Sequence, residues 1–165
     1  MNTISQVEVQ FKRPNWQTAI AFALGFWLSA SLVLDWVIMP SLYLSGMMSQ
    51  AGFSTAGYVI FWNFNRLEIL SAAVVLTGVL ALNKIQPYRY GSGIFLAVLL
   101  LAVTLLDTYL LTPQMCAVGL NLDLFATAST IPGEMNVLHG GYWLLEAVKL
   151  MAGGTLLNQY WRQQF

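Results

Sequence analysis

Apolar residues are concentrated in four long stretches, at residues 18–39, 58–82, 92–111 and 137–158. An α-helix rises about 1.5 Å per residue, so about 20 residues cross the ~30 Å hydrocarbon core of a bilayer. Backbone groups in lipid must be hydrogen-bonded within a helix or a closed barrel, and the alternation typical of barrel strands is missing. The pattern therefore predicts an all-α, polytopic membrane four-helix bundle.

Prolines mark the ends of the predicted spans, because proline interrupts the backbone hydrogen bonding of a helix interior. None lies in the middle of a span: the five are Pro14, Pro40, Pro87, Pro113 and Pro132. We accordingly divide the chain into an N-terminal segment at residues 1–17, a transmembrane domain at 18–158 and a tail at 159–165. The first stretch begins like a signal peptide but runs to Met39, so we expect it to be a retained membrane helix.

Basic residues predict the orientation. They lie before the first span, between the second and third, and after the fourth, as Lys12, Arg13, Lys84, Arg89 and Arg162. Loops rich in Lys and Arg stay in the cytoplasm, so both termini are predicted to be cytoplasmic. Asp123 and Glu134 are then expected on the opposite side. Trp16, Tyr160 and Trp161 suit the aromatic belt at the cytoplasmic interface.

Composition agrees with a lipid environment. Of 165 residues 58% are hydrophobic and 8% charged, whereas about 25% of a typical soluble domain is charged. Seven Lys and Arg balance seven Asp and Glu, so the chain has no basic surface for nucleic acid. The single Cys116 forms no internal disulfide and no CxxC pair, and apolar packing is its expected role.

The two halves of the chain share features that suggest two tandem helical hairpins. Asp35 near the end of the first span is followed by Pro40, and Asp107 near the end of the third by Pro113. The second helix of each half carries a Leu-Glu pair after two aromatic residues, with the acid at Glu68 or Glu146. Tandem repeats of hairpins are common in membrane proteins.

Polar side chains inside the spans predict a buried polar cluster. Charged groups are costly in lipid and usually face the bundle interior, and seven ionisable residues lie there: Asp35, Arg66, Glu68, Asp107, His139, Glu146 and Lys149. On the fourth span His139, Tyr142, Glu146 and Lys149 share one helical face. The second span offers two adjacent polar strips, Asn65 with Glu68 and Asn63 with Arg66. We expect one connected cluster in the outer half of the membrane.

Charge within this cluster does not balance, because four carboxylates face only Arg66 and Lys149 as fixed cations. The two excess negative charges would be neutralised by protons, by a protonated His139 or by a bound cation. Such carboxylates are often functional. The plainer alternative is structural: Arg66 pairs with Asp35 or Glu68 and Lys149 with Glu146, fixing helix register.

Metals and cofactors are not predicted. His139 is more often a satisfied interfacial histidine than a ligand, although a single axial bond to haem or chlorophyll stays open. Bis-histidine haem is excluded, since the chain has one histidine. Soft side chains expected on the outer side would suit Cu(I) but are also ordinary packing material; they are Met39, Met47, Met48, Met115, Met135 and Cys116.

The four-span pattern, the Asp35 to Pro40 ending, the Tyr142 to Glu146 core of the fourth span and the tryptophan-rich interfaces resemble a family of small cyanobacterial membrane proteins. This family carries a domain of unknown function and is similar to transmembrane-protein-205-like proteins. The resemblance covers most of residues 18–158. It implies a four-helix protein of the thylakoid or, alternatively, the plasma membrane, with no assigned reaction.

Three functional hypotheses follow. The first is a non-enzymatic accessory or assembly partner of other membrane proteins or pigment–protein complexes, since the chain lacks the phosphate-loop, HExxH and GxSxG signatures. The second is a small proton or cation transporter, in which Glu68 and Glu146 bind the ion and Asp35 and Asp107 line its outer entrance. The third is a membrane redox or lipid- or quinone-handling protein with Glu68, His139 and Glu146 as acid and base groups.

Overall fold

A computed structural model describes residues 16–47, 50, 52–85, 91–125 and 133–162. Within this part of the chain the regular structure is helical, without strands, as the sequence predicts. The elements are α1 (Trp16–Leu32), a first π segment (Val33–Ile38), α2 (Met39–Leu44), α3 (Phe53–Ile85), α4 (Gly91–Leu106), a second π segment (Asp107–Leu111), α5 (Thr112–Phe125) and α6 (Gly133–Trp161).

These elements form four rods, because each π segment joins two α-helices without a break: α1 to α2 and α4 to α5. Both α1 and α4 pack against α3 and α6, whereas in the described chain the backbones of α1 and α4, and those of α3 and α6, do not come close to each other. The rods therefore surround a common axis, with α1 diagonal to α4 and α3 diagonal to α6. We call the end holding Trp16, Ile85 and Trp161 the inner end and the opposite end the outer end.

Three of the rods are long and apolar enough to cross a membrane: Trp16–Leu44, Phe53–Ile85 and Ser92–Leu120. The fourth predicted span, 137–158, lies within α6, which is long enough but falls short in apolar character among the described helices. Glu134, Glu146 and Lys149 all lie on this helix. Length and composition thus support three of the four predicted spans.

The prediction that all prolines end helices is wrong for Pro40 and Pro113. Each lies in the first turn of an α-helix that continues the preceding rod. A proline is tolerated there because its missing N–H is not needed by the first turn. Pro14, Pro87 and Pro132 lie outside the described residues, as do Lys12, Arg13 and Arg89.

The π segments explain how the rods pass the two prolines. The N–H of Met39 donates to the carbonyl of Leu34, and the N–H of Thr112 donates to that of Asp107. Both bonds span five residues instead of four, and both donors directly precede a proline. The widened turn is the local form of a π-bulge, which recurs at functional sites. Corresponding positions in the two halves thus share this distortion.

The helices also extend further outward than predicted. The segments between the predicted spans at this end, 40–57 and 112–136, contain most of α2, all of α5 and the starts of α3 and α6. The cluster-bearing positions are consequently near mid-length of the rods. Glu68, for example, is 15 residues from Phe53, about 22 Å along the helix.

The inner half of the bundle is an apolar core. Its buried members are Ile20, Leu24, Trp27, Ala72, Val75, Val79, Ala97, Leu100, Ala152, Leu156 and Tyr160. Close helix contact depends on glycine at two points: a Cβ at Gly78 would lie 2.7 Å from Cγ1 of Ile20, and one at Gly153 would lie 2.8 Å from Cδ2 of Leu28. Small residues permit this approach in membrane helices.

Candidate functional site

Five charged side chains meet at the centre of the bundle, and we call them the carboxylate cluster: Asp35, Glu68, Asp107, Glu146 and Lys149. Each is only 1–2% exposed. The first π segment supplies Asp35, the second Asp107, α3 supplies Glu68, and α6 supplies the other two. All four rods therefore contribute, and the predicted cluster is present for these five residues.

Glu68 is the most fully satisfied carboxylate of the cluster. Its Oε1 accepts hydrogen bonds from Nε1 of Trp27 at 2.9 Å and from Oγ of Ser31 at 3.2 Å. It also forms a buried ion pair with Nζ of Lys149. Trp27 and Ser31 are four residues apart on α1, so both point toward α3. This ion pair joins α3 to α6 across the bundle, where the two helices are not neighbours.

Lys149 also pairs with a second carboxylate, which lies on its own helix. Its Nζ forms an ion pair with Oε2 of Glu146, one helical turn nearer the outer end. Neither carboxylate oxygen of Glu146 accepts a further hydrogen bond in the described structure. One ammonium group is thus shared between two carboxylates, and only Glu68 receives additional donors.

Asp35 is held by the hydroxyl of Tyr142, which donates to Oδ1 at 2.7 Å. The other oxygen, Oδ2, is buried without a hydrogen-bond partner. The Tyr142 ring packs edge-on against Phe61, with centroids 5.8 Å apart. Because Tyr142 is one turn outward of Glu146 on α6, Asp35 occupies the outward side of the cluster.

Asp107 has no hydrogen-bond partner for either carboxylate oxygen among the described residues, although it is 1% exposed. The neighbouring Thr104 and Thr108 on the same rod do not donate a hydrogen bond to this carboxylate. Oγ1 of Thr104 donates to the carbonyl of Leu101 at 2.9 Å, and Oγ1 of Thr108 donates to the carbonyl of Thr104 at 2.6 Å. Each hydroxyl has a single proton to give, so both donors are already used.

Arg66 does not belong to the buried cluster, contrary to the prediction. It is exposed, and its guanidinium carbon lies 4.3 Å from the centre of the Trp62 ring. Positions two apart on a helix point to different sides, so the strip of Asn65 and Glu68 faces inward while Arg66 faces outward. Nδ2 of Asn65 donates to Oγ1 of Thr112 at 2.8 Å, which ties α3 to α5.

His139 also lies outside the cluster. It is exposed, and its Nδ1 is 2.9 Å from the carbonyl oxygen of Met135 on the same helix. The predicted set of Glu68, His139 and Glu146 as joint acid and base groups is therefore not brought together. In the described part of the chain, no group of three or more His, Cys, Asp or Glu is arranged to hold a metal ion.

Because Arg66 and His139 lie outside the carboxylate cluster, the charge balance of the cluster differs from the predicted one. The cluster holds four carboxylates and Lys149 as its cation, which is a formal excess of three negative charges instead of the predicted two. The sequence does not single out Trp27 as a member, because a tryptophan in an apolar stretch resembles a lipid-facing side chain. Its spacing of four from Ser31 is the available signal.

A separate groove lies toward the outer end, between α3 and α5. Its volume is about 370 Å³, and its lining is mainly apolar. The residues that line it are Thr55, Tyr58, Pro113, Cys116, Ala117 and Leu120. Cys116 is half-buried in this lining, and its expected role in packing stays a prediction.

Comparisons of the chain with protein-family models, with curated proteins and with solved structures find no match. The resemblance to transmembrane-protein-205-like proteins therefore stays a prediction. The carboxylate cluster and its surroundings are the features that bear on function.

Proposed function

We propose that this protein moves a proton or a small cation across a membrane through the carboxylate cluster. The observation that carries the proposal is that four buried carboxylates lie together with one ammonium group, which pairs with only two of them. A charged residue at the centre of a membrane helix costs about 2.5–3.5 kcal/mol on insertion scales, and such residues commonly mark ion pathways. Pairing with Lys149 accounts for Glu68 and Glu146 but leaves Asp35 and Asp107 without a cation in the cluster.

The position of the cluster supports access from the outer side. Asp35 and Tyr142 lie on its outward side, and exposed aromatic residues surround this level at Trp36, Tyr109 and Trp143. Trp16 and Trp36 are 20 positions apart, about 30 Å along a helix and equal to the thickness of a bilayer core. On the inward side the apolar core closes the bundle, as expected of a resting state sealed to ions.

The proposal includes α6 as a fourth span, in a bundle with both termini in the cytoplasm. Its charged residues Glu146 and Lys149 are buried, while its outward residues Trp143, Leu144 and Met151 are apolar and exposed. An outward apolar face is what lipid contact requires. A location in the cyanobacterial thylakoid, with the plasma membrane as the alternative, rests on the resemblance alone.

Flux in proteoliposomes tests this function. Purified protein would be reconstituted with a pH-sensitive dye inside, and the response to an imposed pH or cation gradient would be compared for the wild type, Glu68→Gln and Glu146→Gln. We expect the rate to fall at least tenfold in both variants. Glu134→Gln is the matched control, since Glu134 is an exposed acid on α6, and it should keep the wild-type rate. Equal rates in all four proteins would reject the proposal.

A second candidate is the accessory or assembly role, and the outward-facing Arg66 is the observation that favours it. Its guanidinium group contacts the Trp62 ring and has no acidic partner among the described residues. A cation on the surface of a membrane helix is stabilised by an acid on another helix. We therefore expect a larger complex on native gels in mild detergent, which Arg66→Gln should dissociate and Lys84→Gln should not. Migration only as a free monomer or homo-oligomer would contradict this role.

A further inference from the structure

The donors in the cluster are distributed unequally. Glu68 receives an indole N–H, a hydroxyl and an ammonium group, whereas Asp107 receives none from the described residues. Hydrogen bonds from charged and neutral donors stabilise the ionised form of a carboxylate. The surroundings of Glu68 therefore suit a permanent negative charge that pairs with Lys149.

The surroundings of Asp107 suit the neutral, protonated form of its carboxyl group. A buried carboxylate without a donor has lost its hydration and gained no hydrogen bond in return, which is unfavourable for the charged state. A neutral carboxyl group avoids this penalty, because it carries no charge that burial would strip of hydration.

The position that a metal cation would take is already filled. The ammonium group of Lys149 lies between the carboxylates of Glu68 and Glu146 and pairs with both. Small hard cations require several oxygen ligands at once, and the described residues contain no group of three suitable side chains. A proton requires one acceptor atom and no ligand shell.

We propose that the species handled by the cluster is a proton, that Asp107 carries it, and that Glu68 remains ionised as the fixed counter-charge of Lys149. In the loading step a hydronium ion gives its proton to a carboxylate oxygen of Asp107, forming one O–H bond and leaving water. The formal excess of negative charge then falls from three to two. Release of the proton to water on the other side restores the carboxylate.

This inference rests on the proposed function for its place in transport, but the bound proton can be tested without transport. Infrared spectra of purified protein in lipid report protonated carboxyl groups by their C=O stretch, which shifts when the protein is transferred to heavy water. We expect a band that is lost in Asp107→Asn and retained in both Glu68→Gln and the control Glu134→Gln. Asp107→Leu provides a second variant in case the amide disturbs packing.

Two results would overturn the inference. One is an unchanged band in both Asp107 variants, with loss in Asp35→Asn or Glu146→Gln instead, which would place the proton on another carboxyl. The other is loss of the wild-type band on addition of Na⁺ or K⁺ at constant pH, which would make a metal cation the bound species. If the band depends on Asp107 but the flux of Glu68→Gln and Glu146→Gln equals that of the wild type, the proton site stands and the transport function fails.

Discussion

The inner half of the bundle and the carboxylate cluster belong to the same four rods but are held together by different kinds of contact. In the inner half buried residues are apolar, and glycine at positions 78 and 153 allows helices to approach closely. In the cluster the helices are held by a few polar contacts, and several buried oxygens have no partner among the described residues. The difference indicates that packing of the inner half supplies most of the stability, while the cluster is retained at a cost in stability.

Of the substitutions considered, removal of the Lys149 ammonium group should lower the stability of the protein most. Lys149→Met keeps an unbranched side chain that is one atom shorter, and it leaves Glu68 and Glu146 without their shared cation. Breaking a buried ion pair by removing one partner destabilises a protein by about 3–5 kcal/mol, and here two pairs are lost together. Thermal unfolding in a fixed detergent measures the change, with Lys84→Met as the exposed control on α3. A wild-type melting temperature would show that the ion pairs do not hold the cluster.

Two glycines on α3 offer a matched test of the inner half. Gly78→Ala places a methyl group 2.7 Å from Cγ1 of Ile20, and overpacking of this kind typically costs about 1–3 kcal/mol. At Gly57, toward the outer end of the same helix, an added methyl group would meet nothing within 4 Å among the described residues. Gly57→Ala should be neutral or more stable by up to about 1 kcal/mol, because alanine favours helix. Equal melting temperatures would contradict the importance of inner packing.

Removal of the unpartnered carboxylate should stabilise the protein. Asp107→Leu replaces a buried group whose oxygens accept no hydrogen bond from the described residues, and relief of such a penalty is worth at least about 1 kcal/mol. Asp35→Leu is the matched control, since it removes the acceptor of the Tyr142 hydroxyl and should not stabilise. Chemical denaturation of both variants decides the sign. A loss of stability in Asp107→Leu would mean that this carboxyl supports the fold.

Sequence spacing locates the cluster but not all of its members. The burial of Asp35, Glu68, Asp107, Glu146 and Lys149 follows from the rule that charged groups in apolar stretches face the interior. Both polar strips of the second span have the same three-residue spacing, so spacing alone does not decide whether Glu68 or Arg66 points inward. That choice depends on which side of α3 meets its neighbours, which is a property of tertiary packing.

The helix ends are less predictable for a different reason. Proline predicts a helix end at Pro40 and Pro113, but a π segment before each one lets the rod continue. The residues of the two π segments resemble those of an ordinary membrane helix, so their composition does not indicate a widened turn. The inner end of α6 is predicted within a few residues, at 158 instead of Trp161. The polar residues of this helix make it less apolar than the other three rods.

The smallest effect we expect comes from Tyr142→Phe, which removes one hydroxyl and keeps the ring packed against Phe61. Hydrogen bonds between membrane helices contribute about 0.6 kcal/mol on average, so the melting temperature should fall only slightly. Proton flux should fall severalfold, because Asp35 loses the O–H that holds it on the outward side of the cluster. Tyr109→Phe, an exposed tyrosine on the second π segment, is the control and should change neither quantity.

The relation between stability and flux in Tyr142→Phe decides what the hydroxyl does. A small loss of stability with a clear loss of flux would mean that the hydroxyl orients Asp35 for proton transfer and contributes little to the fold. A loss of several kcal/mol with unchanged flux would mean the reverse, and the polar contacts of the cluster would then be structural, like the packing of the inner half. The contrast between the two regions would no longer hold at Asp35, and function would have to be sought at Asp107 and Glu146 alone.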